Sequence, residues 1–208
     1  MNYVYWTAET LRLLPMGLWA VQHRNKRYLK GVYRDLVFRH MGSIAFFEEG
    51  IARVAWHAEQ GHKIVLVTGT LETLGQLTAT ALGCELEARG IQVRPEVCGT
   101  RLLEVNGRWT GDIEGEALYG RTKARCVRGL AAKEKIDLRK SHAYGNSLLD
   151  RQLLCSAGNG HAINPSKEMA TIAKEKNWAI WHWHQEKPAN APKSMCVSQE
   201  IHHNEGAA

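Results

Sequence analysis

Two hydroxyl residues around a glycine, Thr68-Gly69-Thr70, close an apolar run of strand length, Ile64 to Val67. At the carboxyl end of a buried parallel strand such a tripeptide can cradle a phosphoryl group. Thr68 offers a hydroxyl donor, and Gly69 lets backbone N–H groups approach with no side chain between. A plainer role fits equally well, because Thr70 ahead of Glu72 is a good N-cap for a following helix. Lys123, in Gly120-Arg121-Thr122-Lys123, stands near a helix start, where the helix dipole disfavours a cation unless an anion compensates it. A phosphate is such an anion, although a solvated lysine between Arg121 and Arg125 is the commoner outcome of this pattern. Asn146 and Asp150 lie four apart and share one side of a helical turn. Asp150 can hold Lys123 or orient a metal-bound water, or serve as an ordinary first-turn carboxylate.

These groups need elements to position them, and hydrophobic periodicity supplies the outline. Apolar residues from Leu11 to Leu36 recur at helical spacing, broken by Pro15, Gly17 and Gly31, which predicts a small helical module over 1–42. Phe46 to Gln60 reads as a helix closed by Gly61. Beyond it strands and helices alternate: strand 64–67, helix 71–88, strand 91–97, helix 122–135, strand 142–144, helix 149–156, strand 161–163, helix 166–176 and strand 179–183. Runs 101–105 and 108–113, split by Asn106-Gly107, predict a β-hairpin. The expected fold is therefore α/β, a mostly parallel sheet over 43–184 covered on both faces, with a polar tail over 185–208. In such sheets ligands bind beyond the carboxyl ends of strands, where Thr68, Lys123 and Asn146 all fall.

Composition narrows the function. The chain has 208 residues, 44% of them hydrophobic, enough for a real core. The stretch Leu11 to Val21 is too short to span a bilayer and carries Arg12 and Pro15, so no membrane partner is expected. Five cysteines, odd in number and without a C-x-x-C pair, suggest neither a disulfide framework nor a zinc knuckle, and fit a reducing cytoplasm. The net charge of +6 suits an anionic small molecule or simply a basic surface; no basic run interleaves with aromatics as a nucleic-acid groove requires. Trp181-His182-Trp183-His184 places two histidines on one strand face, too few for a structural zinc site, and the expected arrangement packs the tryptophans on the core.

Taken in order, Val65-Leu66-Val67-Thr68-Gly69-Thr70, then Gly120 to Lys123, then Tyr144 to Leu154 with Ala162-Ile163-Asn164-Pro165-Ser166, the motifs resemble the haloacid dehalogenase-like phosphatases of the phosphoserine-phosphatase branch. The resemblance covers residues 44 to 183. It implies a Rossmann-like sheet with a helical cap, and hydrolysis of phosphomonoesters through an aspartyl-phosphate with Mg2+. It puts the family's second-motif hydroxyl on Thr68, its lysine on Lys123 and its two fourth-motif acids on Asn146 and Asp150, with residues 1–42 as an incomplete cap. Thr68, Lys123 and Asp150 are thus the candidate catalytic residues, Thr68, Gly69 and Lys123 the phosphate contacts, and Asn146 and Asp150 the weak metal positions.

The chain departs from that pattern twice. The family's first strand ends in D-x-D-x-[TV] and supplies the nucleophile, yet the four aspartates here, Asp35, Asp112, Asp137 and Asp150, form no D-x-D. Asn146 puts a neutral carbonyl where magnesium prefers an anionic oxygen, so magnesium binding is expected to be poor. The expectation is a phosphomonoester phosphatase by descent, truncated and inactive as it stands, with a small phosphorylated metabolite as partner. The alternative is a non-catalytic protein that keeps the phosphate cradle. Loss of the nucleophile strand should also leave two unpaired strand edges around an apolar slot.

Overall fold

The computed structural model describes residues 46–184 apart from Gly107; the expected cap (1–42) and tail (185–208) lie outside the described residues. Helix α1 (Glu48–Glu59) begins with Glu48 and Glu49, acids that complement the positive end of the helix dipole. It ends where Gly61 turns the chain at φ +70°, which a residue with a Cβ rarely adopts. Strand β1 (Val65–Leu71), α2 (Glu72–Glu87) and β2 (Glu96–Thr100) follow, and β1 pairs with β2 in parallel. The hairpin strands β3 (Leu102–Val105) and β4 (Arg108–Ile113) pair antiparallel around Asn106, held at φ +51° as an Asn-Gly turn requires. Helix α3 (Arg121–Glu134) leads to β5 (His142–Gly145), a 3-10 turn (Leu148–Asp150) and the short α4 (Arg151–Leu154). Strand β6 (Asn159–Ile163), α5 (Lys167–Glu175) and β7 (Ala179–Trp181) complete the described chain, and β5, β6 and β7 form a parallel sheet in that order.

The elements match the periodicity; their ends differ for physical reasons. Strand β1 continues through Thr68-Gly69-Thr70 to Leu71, because Thr68 and Thr70 are buried on the face they share with Leu66. Thr70 therefore does not cap α2: Leu71 holds that position and no side chain caps the helix. Strand β2 starts at Glu96 rather than at residue 91, directly after Pro95, which has no N–H for a ladder. The expected helix over 149–156 begins as a 3-10 turn closed by a capping box between Ser147 and Asp150. In β7 the tryptophan does not enter the core: Trp181 is 41% exposed.

Two apolar clusters anchor the halves. Ile51 and Val54 of α1 pack with Leu66, Leu82, Leu86 and Val97, while Ala143, Leu153, Leu154 and Met169 pack with Val67 and Val127. Fully burying a Leu or Met side chain contributes roughly 1.5–3 kcal/mol, and Leu86, Leu154 and Met169 are wholly buried. Among the described residues no strand lies between β1 and β5. A cavity there is lined by Val65, Leu66 and Val67 on one side and His142, Ala143 and Tyr144 on the other. Consecutive strand residues point to opposite faces, so this cavity abuts the edges of both strands rather than a face. At one end of the molecule Phe47 lies 6.1 Å from Trp183, and the His184 N–H donates to Glu49 at 3.2 Å.

Candidate functional site

Gly120 sets the entry to α3 at φ +50° and ψ −111°, a conformation open to glycine. Thr122 then clamps the turn: its hydroxyl accepts the Tyr119 N–H at 2.7 Å and donates to the Ala117 carbonyl at 2.6 Å. With the first turn so fixed, positions 123, 127 and 131 form the inward stripe of α3, and Lys123 is buried at its head. Its ammonium donates to Asp150 Oδ1 at 2.7 Å, and both side chains are only 8% exposed. The other carboxylate oxygen accepts from Asn146 N (3.3 Å), Ser147 N (3.4 Å) and Ser147 Oγ (3.1 Å). Asp150 thus closes its own turn and neutralises a lysine 27 residues away along the chain. The Asn146 carbonyl accepts from Ser166 N at 3.1 Å, tying the turn to the loop after β6.

At the end of β1 the Thr70 N–H donates to Thr68 Oγ1 at 3.0 Å, which leaves the Thr68 hydroxyl hydrogen to point elsewhere. Thr70 Oγ1 is buried without a partner among the described groups. Gly69 lies under the loop that leads into α3. A Cβ there would meet the Tyr119 ring at 2.6 Å and the Leu118 carbonyl at 3.1 Å. Thr100 completes the join, donating to the Gly69 carbonyl at 3.0 Å and accepting from Leu118 N at 3.1 Å. The structure therefore links Thr68-Gly69 to the approach of Lys123, and Lys123 directly to Asp150. Burial also holds the Glu72 carboxyl, first in α2, above its usual range.

Sequence reasoning missed Thr100 and Tyr119. Thr100 had a visible signal, since Gly99-Thr100 ends β2 as Gly69-Thr70 lies at the end of β1; Tyr119 had none. The expected magnesium positions do not fit the ion. Asp150 has both oxygens engaged, Asn146 is neutral, and among the described residues no three His, Cys, Asp or Glu side chains group to hold a metal. No helix among the described residues is long and apolar enough to cross a membrane.

Residues 5–154 match the sequence profile described as HAD, haloacid dehalogenase-like hydrolase. The chain is 33% identical over 124 residues to "Phosphoserine phosphatase SerB1" of Mycobacterium tuberculosis, covering 60% of this chain and 37% of that protein. It is 32% identical over 143 residues to "Inhibition of morphological differentiation protein" of Streptomyces azureus, covering 66% and 46%. The curated relatives it matches are thus spanned to less than half their length. A solved protein of unknown function from Bordetella pertussis Tohama I shares the fold, with a TM-score of 0.63 at 23% identity, covering 79% of this chain and 70% of that one.

Proposed function

This chain belongs to the haloacid dehalogenase-like hydrolases, and from that premise we propose that it holds the phosphoryl group of a small phosphorylated metabolite without turning it over. The observation that carries this reading is the placement of Lys123. A cation is buried in the first turn of a helix, where only an anion makes it tolerable, and the loop that leads into that helix lies against Gly69 of β1. In this reading Thr68 and the backbone around Gly69 donate to phosphate oxygens, Lys123 neutralises them, and Asp150 orients Lys123. An entering anion competes with Asp150 for the ammonium, so binding is expected in the millimolar range, about −4 kcal/mol.

Lack of turnover follows from the nucleophile chemistry. No D-x-D occurs in these 208 residues, so the carboxylate that would form an aspartyl-phosphate has no counterpart in this sequence. Five cysteines, odd in number and without a C-x-x-C pair, support a reducing setting such as the cytoplasm. Two measurements test the proposal. Inorganic phosphate at millimolar concentration should raise the melting temperature of the protein but not of Lys123→Ala; no shift with phosphate or any of a panel of phosphorylated metabolites overturns the binding reading. p-Nitrophenyl phosphate with magnesium should give no turnover. Magnesium-dependent hydrolysis that is abolished by Asp150→Ala and by Lys123→Ala would instead establish a competent phosphatase.

A further inference from the structure

Away from the anion site, four histidines meet where α1 packs against the β5–β6–β7 sheet. His57 lies on α1 and His62 just after it, while His142 and His161 stand on β5 and β6 with Tyr144 beside them. Two hydrogen-bonded chains run through the cluster, and each begins at a group that can only donate. In the first, Arg53 Nε donates to the Tyr144 hydroxyl at 2.7 Å, and that hydroxyl contacts His57 Nε2 at 2.6 Å. Either the hydroxyl donates to His57 Nε2 and His57 Nδ1 donates to His62 Nδ1 at 2.8 Å, or His57 Nε2 donates to the hydroxyl and His57 Nδ1 accepts from His62; in both tautomers His57 donates once and accepts once. In the second, Trp181 Nε1 donates to His161 Nδ1 at 3.2 Å, so the His161 proton sits on Nε2 and is donated to His142 Nδ1 at 3.0 Å.

His57, His142 and His161 thus each accept one hydrogen bond inside the cluster, and each accepting nitrogen is the site an added proton would take. At His161 that proton would face the indole N–H of Trp181, and at His142 the N–H of His161. At His57 it would face whichever neighbour donates to that ring, the Tyr144 hydroxyl or the His62 N–H. Proton uptake at any of these three breaks a contact; among the contacts of the cluster Tyr144 to His57 joins α1 to the sheet directly, and the rings of His57 and His62 meet His142 across the same junction. His62 stacks on His142 with centroids 5.9 Å apart, and His57 meets His142 at 4.9 Å.

Among the described residues no unpaired carboxylate faces the cluster to compensate a charge. α1 contributes Arg53, whose guanidinium lies 4.2 Å over the Trp56 ring; Glu49 on the same helix is engaged by His184. Lys63 and Lys140 line the adjacent cavity; Lys63 is paired with Glu96 and Glu134, and the one acid in that lining, Asp137, is paired with Arg139. From the sheet side β5 presents His142 and Tyr144, β6 presents His161, and β7 presents Trp181. Burial, followed by the neighbouring His142 and the Arg53 charge, pushes His57 down to about 4, and the same causes push His161 down to about 4. Burial and Arg53 lower His142 as well.

We propose that His57, His62, His142 and His161 form an acid-released clasp that fastens α1 to the β5–β6–β7 sheet while they are neutral. The sign follows from linkage: a released histidine titrates near its ordinary value of about 6.5, whereas the clasped His57, His142 and His161 hold off protons. The closed arrangement is complete above about pH 6.5, weakens as pH falls towards about 4, and loses nothing further below that. Trp56 and Trp181 border the cluster and report on it.

Tryptophan emission and far-UV circular dichroism of the whole chain, followed together from about pH 8 to about pH 4, test the clasp. The expected result is an emission change with a midpoint between those limits, steep enough for at least two protons, at constant circular dichroism. His161→Phe keeps the ring stacked on Tyr144 and should reduce the steepness by about one proton. An unchanged emission, an equal steepness in the variant, or loss of helical signal in the same step overturns the proposal. Should the variant fail to fold, imidazole proton resonances of the unaltered protein decide. His57 and His161 remaining neutral at about pH 6 supports the clasp, and ordinary titration near 6.5 refutes it.

Discussion

Removing the Asp150 carboxylate should be among the most damaging single changes in the described chain, and the geometry fixes its size. Lys123 Nζ and Asp150 Oδ1 are 2.7 Å apart with both side chains 8% exposed, so Asp150→Ala strands a buried ammonium. Breaking a buried pair by deleting one partner costs about 3–5 kcal/mol, and loss of the capping carboxylate acts in the same direction at about 1 kcal/mol. The two are not additive, since both act through one turn; about 4 kcal/mol is the expectation. An exposed pair provides the yardstick: Arg125 and Glu116 are 2.8 Å apart but 68% and 59% exposed, and Arg125→Ala should cost about 0.2–1 kcal/mol. Urea denaturation of both variants, with and without inorganic phosphate, measures the difference. In Asp150→Ala the ammonium is free for an external anion, so phosphate at a hundredfold excess over its dissociation constant should restore about 2.7 kcal/mol. A loss of less than about 1 kcal/mol, matching the Arg125 variant, would refute the claim that this pair is buried and structural.

The double variant Lys123→Met with Asp150→Leu removes both charges together; it should recover most of the stability lost by Asp150→Ala while phosphate stabilisation disappears, read in the same urea titrations. Gly99→Ala and Gly69→Ala separate rigid from yielding contacts. A Cβ on Gly99 would lie 2.4 Å from the Glu72 Cα, a backbone clash expected to cost about 2–3 kcal/mol, whereas at Gly69 the obstacle is the Tyr119 ring, 44% exposed and able to swing, so about 1 kcal/mol is expected by thermal melts. Cys126 is held down to about 7 by the neighbouring Cys98 thiol, which is itself pushed up. Its alkylation by iodoacetamide, followed site by site by mass spectrometry, should level off above about pH 8, and labelling that still climbs towards pH 9 refutes that assignment.

How far the sequence discloses the molecule is clearest residue by residue. Alternating apolar runs and turn signals identify the described strands and helices, because burial on one face leaves a period that needs no partner to be seen. Strand ends are less legible: β1 runs on through Thr68 and Thr70 because the fold buries those hydroxyls, which local propensity does not register. Lys123 shows the limit most sharply. Between Arg121 and Arg125, both exposed, it reads as solvated, and only Asp150, brought close by β5 and the turn after it, reverses that reading. The histidine cluster is invisible in the chain for the same reason, since its members come from α1, the following turn, β5 and β6, and each alone resembles an ordinary half-buried histidine.

The meeting of Phe47 and Glu49 with Trp183 and His184 makes the described polypeptide a nearly closed ring of connectivity. A short bridge across that junction, with new termini opened at the exposed Asn106 turn, should therefore yield a circular permutant that keeps the core contacts of the described residues. It follows too that the first and last residues of the described span share one patch of surface.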